Sequence, residues 1–207
     1  MHQTLELINK TREYLDYVEE HCLNVVKAWK ELKIKCKDMR FISDDFVFDW
    51  LRQEVMRHDF TKLSAEEFVQ YRRHFYPCPF EQKGSLDEAW EHHKTSNAHH
   101  WEEWTKHEYV DPYEWEVHCV HMVIDWMAMG YKFGDTARQY YETNNGKINL
   151  PDYAEVFIYE IFNRIENLRD RQHETTPCDS GSEVSSCVSS GHNAGFKKRK
   201  AKNFGHR

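Results

Sequence analysis

Residues 3–35 carry apolar side chains at three-and-four spacing without a break, and this run constrains the fold more than any other part of the chain. Leu15, Val18, Cys22, Val25, Val26 and Trp29 fall on the stripe, the pattern of a long amphipathic helix buried along one face. His21 sits at its flank, three residues after Val18 and four before Val25, so the spacing predicts a ring pointing inward at the edge of a core. Gly and Pro number only 8 and 5 in 207 residues, and no alternating β-branched run appears. The expectation is one all-α helical bundle.

The remaining punctuation is helical too. Ser43-Asp44-Asp45 predicts the start of a second helix, with Phe46, Trp50, Leu51 and Val55 as its buried face and His58-Asp59 at its end. Adjacent helical residues diverge by about 100°, so both reach one centre more easily where the helix is ending, and Phe60-Thr61 leading to Leu63-Ser64 suggests such a break. Ser64-x-x-Glu67 and Ser85-x-x-Glu88 read as capping boxes. The first opens a helix through Phe68, Tyr71 and Phe75 that Pro77-Cys78-Pro79 stops; the second carries Trp90, His92 and His93 to a break at Asn97. Asp111-Pro112-x-Glu114 starts a helix bearing His118, His121 and Asp125, with Gly130 placed to end it. Asp135 is expected to cap a short helix, Asn145-Gly146 to turn, and Pro151 to open a last helix to about Arg169. The composition predicts a helical domain over 1–172 and a disordered tail over 173–207 ending in Lys197-Lys198-Arg199-Lys200.

A formal charge of -7 argues against a general nucleic-acid coat while leaving room for a basic pocket. The basic run in the tail fits nuclear import or a nucleic-acid tether, with a non-specific role the safer reading. Six cysteines without a C-x-x-C pair suit a reduced, intracellular protein. Neither a signal-like h-region nor an apolar stretch near the ~20 residues of a membrane span is visible. The P-loop, the dinucleotide fingerprint, H-E-x-x-H and G-x-S-x-G are all missing, so any chemistry belongs to a metal.

The donors for one come in order: His21, His58-Asp59, His93, His99-His100 and Asp125. Imidazole and carboxylate together hold Zn, Fe, Mn, Co or Ni. Taken alone, His58-Asp59 is weak, since a helix-end Asp is often only a cap. Asp125 lies within Met122-Val123-Ile124-Asp125-Trp126, a run expected to be buried, where a carboxylate needs a metal, a salt bridge or strong donors. At least one of His92, His93, His99 and His100 is expected to face the site, and His92 is expected outward. His118 and His121 precede Asp125 by seven and four residues; each is either a ligand or its orienting partner, or a core-edge residue. The seven Trp are most simply packing residues.

In its order of donors the chain resembles the HD superfamily of metal-dependent phosphohydrolases, and most closely a small HD-like family of phages and bacteria. The phrases that carry the resemblance are His58-Asp59-x-x-Lys62, Asn97-x-His99-His100 and Met122-x-x-Asp125-Trp126, within residues 15–130. It implies an HD-like bundle with an internal site for one or two divalent transition ions. His21, His58, Asp59 and Asp125 would hold the first; His99, His100 and His93 would hold a second or donate protons. Lys62 would contact a substrate phosphate. In multi-metal members the extra His ahead of the His-His step lies farther upstream than His93, and an acid often stands near the position of His121. The implied function is hydrolysis of a nucleotide or nucleotide-derived second messenger in the cytoplasm (of the host, if viral), with a homodimer as a possible assembly. A diiron oxygenase on the same scaffold and a non-enzymatic module binding a nucleotide or protein are the alternatives.

Overall fold

A computed structural model describes residues 2–108 and 113–173, with side chains through Glu166. Asp111 and Pro112, Cys178 and Cys187, and the tail from 174 with its basic run lie outside the described residues. Among those described, nine helices and one 3₁₀ turn account for the regular structure, and there is no strand. The chain is all-α, as its apolar spacing predicts. No described helix is long and apolar enough to cross a membrane.

The first helix, α1 (His2–Lys35), buries Tyr14, Val18, His21, Val25, Ala28, Trp29 and Leu32. This stripe is rotated from the expected one. Leu15, Val26 and Cys22 are exposed, while Tyr14, Ala28 and Leu32 complete a four-three alternation that keeps one line of contact along a straight helix. The rotation moves His21 from the flank into the middle of the buried face. After the short α2 (Arg40–Ser43), α3 (Asp45–Met56) starts where the acidic run predicts: the Asp44 side chain accepts from the amides of Phe46 and Val47. Its buried face is Val47, Leu51 and Val55, and Phe46 is 65% exposed. Asp44 at the cap puts Val47, not Phe46, in phase with Leu51.

A 3₁₀ turn (Phe60–Leu63) leads into α4 (Ala65–Phe75), which ends before Pro77. Ser64 makes no capping hydrogen bond there; Glu67 turns inward instead of back to the cap. Ser85 does cap α5 (Leu86–Ser96), accepting from the Glu88 amide, and Asn97 ends it. A single turn, α6 (Trp101–Trp104), precedes α7 (Glu114–Phe133), which is buried without interruption from Glu116 to Gly130. Gly130 lies within α7; the stop is Gly134, whose φ of 85° closes the C-terminus in the left-handed region that glycine enters without a Cβ penalty. Thr136, rather than Asp135, caps α8 (Ala137–Asn144) in a reciprocal box with Gln139. The last helix, α9 (Asp152–His173), runs four residues past Arg169 and through the expected boundary at 172.

The main core gathers α1, α3, α7, α8 and α9 around Leu32, Phe41, Leu51, Trp104, Val120, Ile124, Ile158 and Phe162. A smaller cluster of Tyr14, Val18, Tyr71 and Ala89 clamps α4 and α5 onto α1. The histidines expected to bind metal lie where these two cores meet.

Candidate metal centre

His21 enters from α1 and is 2% exposed. His58 and Asp59 follow the end of α3, and Asp59 is the one non-glycine residue with positive φ among those described (φ 55°). That conformation costs an L-residue roughly 1–2 kcal/mol and is least unfavourable for Asp and Asn. It breaks the helix and turns both adjacent side chains toward one centre. Asp125, from the middle of α7, completes a first donor set. His21 Nε2 lies 2.8 Å from His58 Nε2. Asp59 Oδ2 is 3.2 Å from His21 Nε2 and 3.3 Å from His58 Nε2, and Asp125 Oδ1 is 3.3 and 3.5 Å from the same nitrogens.

The other oxygen of Asp59 faces a second set. Oδ1 stands 3.3 Å from His93 Nε2 and 3.6 Å from His99 Nε2, and His100 joins them in a group whose ligand atoms lie within 4.8 Å of one another. The rings of His99 and His100 are 4.3 Å apart. Their Nε2 atoms are sealed from solvent and make no hydrogen bond. Buried polar atoms seldom remain so.

All eight expected residues, His21, His58, Asp59, Lys62, His93, His99, His100 and Asp125, come together. They meet because α5 ends at Ser96, at the break expected at Asn97, and the turn Asn97–His100 folds the last two histidines back. Asn97 holds that turn, donating to His93 O and Thr61 Oγ1, both at 2.7 Å. Lys62 Nζ ion-pairs with Asp59 Oδ2, and its backbone oxygen accepts from Tyr14 OH at 2.9 Å.

Two further residues belong here. His121, one turn before Asp125, is buried with Nε2 2.9 Å from His58 Nδ1, and with His58 and His99 it forms another group able to hold an ion. Fully buried Glu67 places Oε1 2.7 Å from His92 Nδ1 and Oε2 2.8 Å from His93 Nδ1. Ser64-x-x-Glu67 fits a capping box equally well, and only the inward phase of Glu67 with Tyr71 distinguishes the two. His92 is outward as expected. His118 stands apart near Glu114 (3.9 Å), and burial, then His107, lowers it to about 4.

Burial penalises charge throughout, yet the centre keeps its ionic character. It pushes both aspartic acids up, but His58, Lys62 and His93 around Asp59, and His21 and His58 around Asp125, hold both well below the usual carboxylate range. Burial would likewise lower His58, but Asp59 and Asp125 outweigh it and raise this ring to about 9. His99, His100 and His121 go the other way: burial, then neighbouring imidazoles, hold them far below 6.5. Neutral rings offer lone pairs at neutral pH.

These residues fit a transition-metal ion. Bonds of about 2.0–2.2 Å to N and O put neighbouring ligands around a tetrahedron roughly 3.3–3.5 Å apart, close to most separations in the first set. The mixture of imidazole and carboxylate is the donor chemistry such ions take. A family model described as "Family of unknown function (DUF5662)" matches residues 10–171. No curated protein and no solved structure matches the chain.

Proposed function

The chain belongs to the DUF5662 family, whose function is unknown, and from its buried centre we propose that it is an HD-like metal-dependent phosphohydrolase acting on a nucleotide or nucleotide-derived second messenger. The observation that carries the reading is Asp59, which turns Oδ2 to His21 and His58 and Oδ1 to His93 and His99. One carboxylate thus joins two donor sets: His21, His58, Asp59 and Asp125 for one ion, and Asp59, His93, His99 and His100 for another. An ion of the Mn, Fe, Co, Ni or Zn group supplies an acidified water and draws charge from a phosphoryl oxygen. Lys62, with a side chain 14% exposed beside Asp59, would neutralise a non-bridging oxygen.

A nucleotide suits the approach to the centre. Half-buried Tyr17 stacks parallel to His21, with centroids 6.5 Å apart. Lys62 and Lys132 reach to 5.9 and 4.8 Å from the Tyr17 ring centre. An aromatic ring with two ammonium groups beside it would suit a base next to the phosphate charge it carries.

The test is elemental analysis of untagged protein beside Asp59→Ala, with hydrolysis products separated by chromatography across nucleoside mono-, di- and triphosphates and cyclic nucleotides. Wild-type protein should hold stoichiometric transition metal and hydrolyse one class; Asp59→Ala should lose both while keeping its helical circular dichroism. Full activity in a metal-free Asp59→Ala protein would overturn the reading. The excess of imidazole over carboxylate also suits a diiron oxygenase, and iron with oxygen consumption but no hydrolysis of any phosphate ester would select that chemistry.

A further inference from the structure

We infer that Glu67 is a positioning residue for the centre: its carboxylate fixes His93 as the Nδ1–H tautomer and so keeps the Nε2 lone pair of His93 aimed at Asp59. The inference rests on the metal-centre reading and adds a residue that touches no ligand atom.

A carboxylate can only accept. With Oε2 2.8 Å from His93 Nδ1 and Oε1 2.7 Å from His92 Nδ1, Glu67 requires a proton on both nitrogens. A neutral His93 then carries none on Nε2, the atom 3.3 Å from Asp59 Oδ1. The opposite tautomer would need a donor for Nδ1. The nearest are Asn97 Nδ2 at 3.3 Å and Thr61 Oγ1 at 3.4 Å. Both amide hydrogens of Asn97 already have better acceptors, His93 O and Thr61 Oγ1, each at 2.7 Å. The opposite tautomer would also donate from Nε2 to the Asp59 carboxylate, but at 3.3 Å against 2.8 Å to Glu67, and the shorter charge-assisted bond is the stronger, so the Glu67 side of the ring wins.

The remaining surroundings agree. Glu67 is fully buried, and its position in the first turn of α4 turns it toward α5. His92, on the solvent side, saturates the second oxygen and has no donor role at the centre. Orienting partners of this kind typically change metal affinity by about 10- to 100-fold.

Two variants separate positioning from packing. Glu67→Met keeps length and bulk but removes the acceptor. Glu67→Gln keeps one oxygen for His93, and its amide nitrogen can face His92, which is free to change tautomer at the surface. Mn²⁺ titration followed by electron paramagnetic resonance should show one binding step weakened about 10- to 100-fold in Glu67→Met and largely restored in Glu67→Gln. Nitrogen-15 NMR of the metal-free protein, on the neutral ring at alkaline pH, should show His93 protonated at Nδ1 in wild type and at Nε2 in Glu67→Met. An Nε2–H ring in wild type overturns the inference, as does unchanged Mn²⁺ affinity in Glu67→Met or equal loss in both variants. Should Glu67→Met fail to fold, the wild-type tautomer and Glu67→Gln still decide. A wild-type protein that takes no Mn²⁺ removes the functional reading instead, and the tautomer continues to test this one.

Discussion

Lys62 Nζ ion-pairs with Asp59 through Oδ2, the same oxygen that lies 3.2 Å from His21 Nε2 and 3.3 Å from His58 Nε2. An ion in the first donor set and the Lys62 ammonium therefore compete for one atom, and the displaced ammonium is what a phosphate would meet. Lys62→Met should tighten the first Mn²⁺ by about tenfold, because a positive charge is removed within a few ångströms of the cation. The same change should lower kcat/KM for phosphate-ester hydrolysis on the order of 100-fold, the scale for losing one charge-stabilising donor. Metal titration beside steady-state kinetics reads both. Weaker metal binding with intact turnover would make Lys62 a support of Asp59 and nothing more.

How much of this was legible depended on whether a residue's role lies along the chain or across it. The ends of α3, α4 and α5 could be read because Asp44, Pro77, Ser85 and Asn97 act on their own neighbours. The break at His58-Asp59 follows from the need of two adjacent donors to converge. The phase of α1 could not be read by eye, since Leu15 and Val26 are as apolar as Tyr14 and Leu32; only the position of α7 selects between those faces. Glu67 was hidden because a Ser-x-x-Glu pattern describes both a cap and an acid turned inward. His99 and His100 reach the centre by a turn after α5, which no helical periodicity encodes. His121 was visible as a candidate, but its partner, His58, is 63 residues away.

Acid should loosen the α4–α5 hairpin that carries Glu67 and His93. Glu81, in the loop between the two helices, pairs with buried Arg72 and accepts from Arg73 Nε at 3.3 Å. Hydrogen bonds from Arg72 bring its carboxyl from an ordinary 4.5 down to about 2. The folded pKa lies below the unfolded one, so the contribution is complete above about 4.5 and drains away as pH falls toward about 2. Glu81→Gln leaves the guanidinium without its counter-charge and should cost on the order of 3 kcal/mol near neutral pH. Urea unfolding of both proteins should show that gap constant through neutrality and closing below about 4.5. A gap that ignores pH would mean the pair is not what holds the loop.

Gly130 and Gly134 at the end of α7 should respond to alanine for different reasons, and the contrast tests how α7 is seated. A Cβ on Gly130 would stand 2.5 Å from the backbone oxygen of Asp135. Backbone cannot rotate away as a side-chain tip can, so the chain after α7 must move, a strain of about 1–3 kcal/mol. At Gly134 there is open space, but φ is 85°, and the penalty is purely conformational, about 1 kcal/mol. Gly134→Asn should recover part of that loss, because Asn tolerates the left-handed region; no residue with a Cβ should rescue Gly130. Urea unfolding of Gly130→Ala, Gly134→Ala and Gly134→Asn measures all three. Asp125 and His121 lie more than a turn before Gly130, so metal content should survive in every variant that folds. Loss of metal in Gly130→Ala alone would show that the seat of α7 against Asp135 sets the position of Asp125 as well as the helix end.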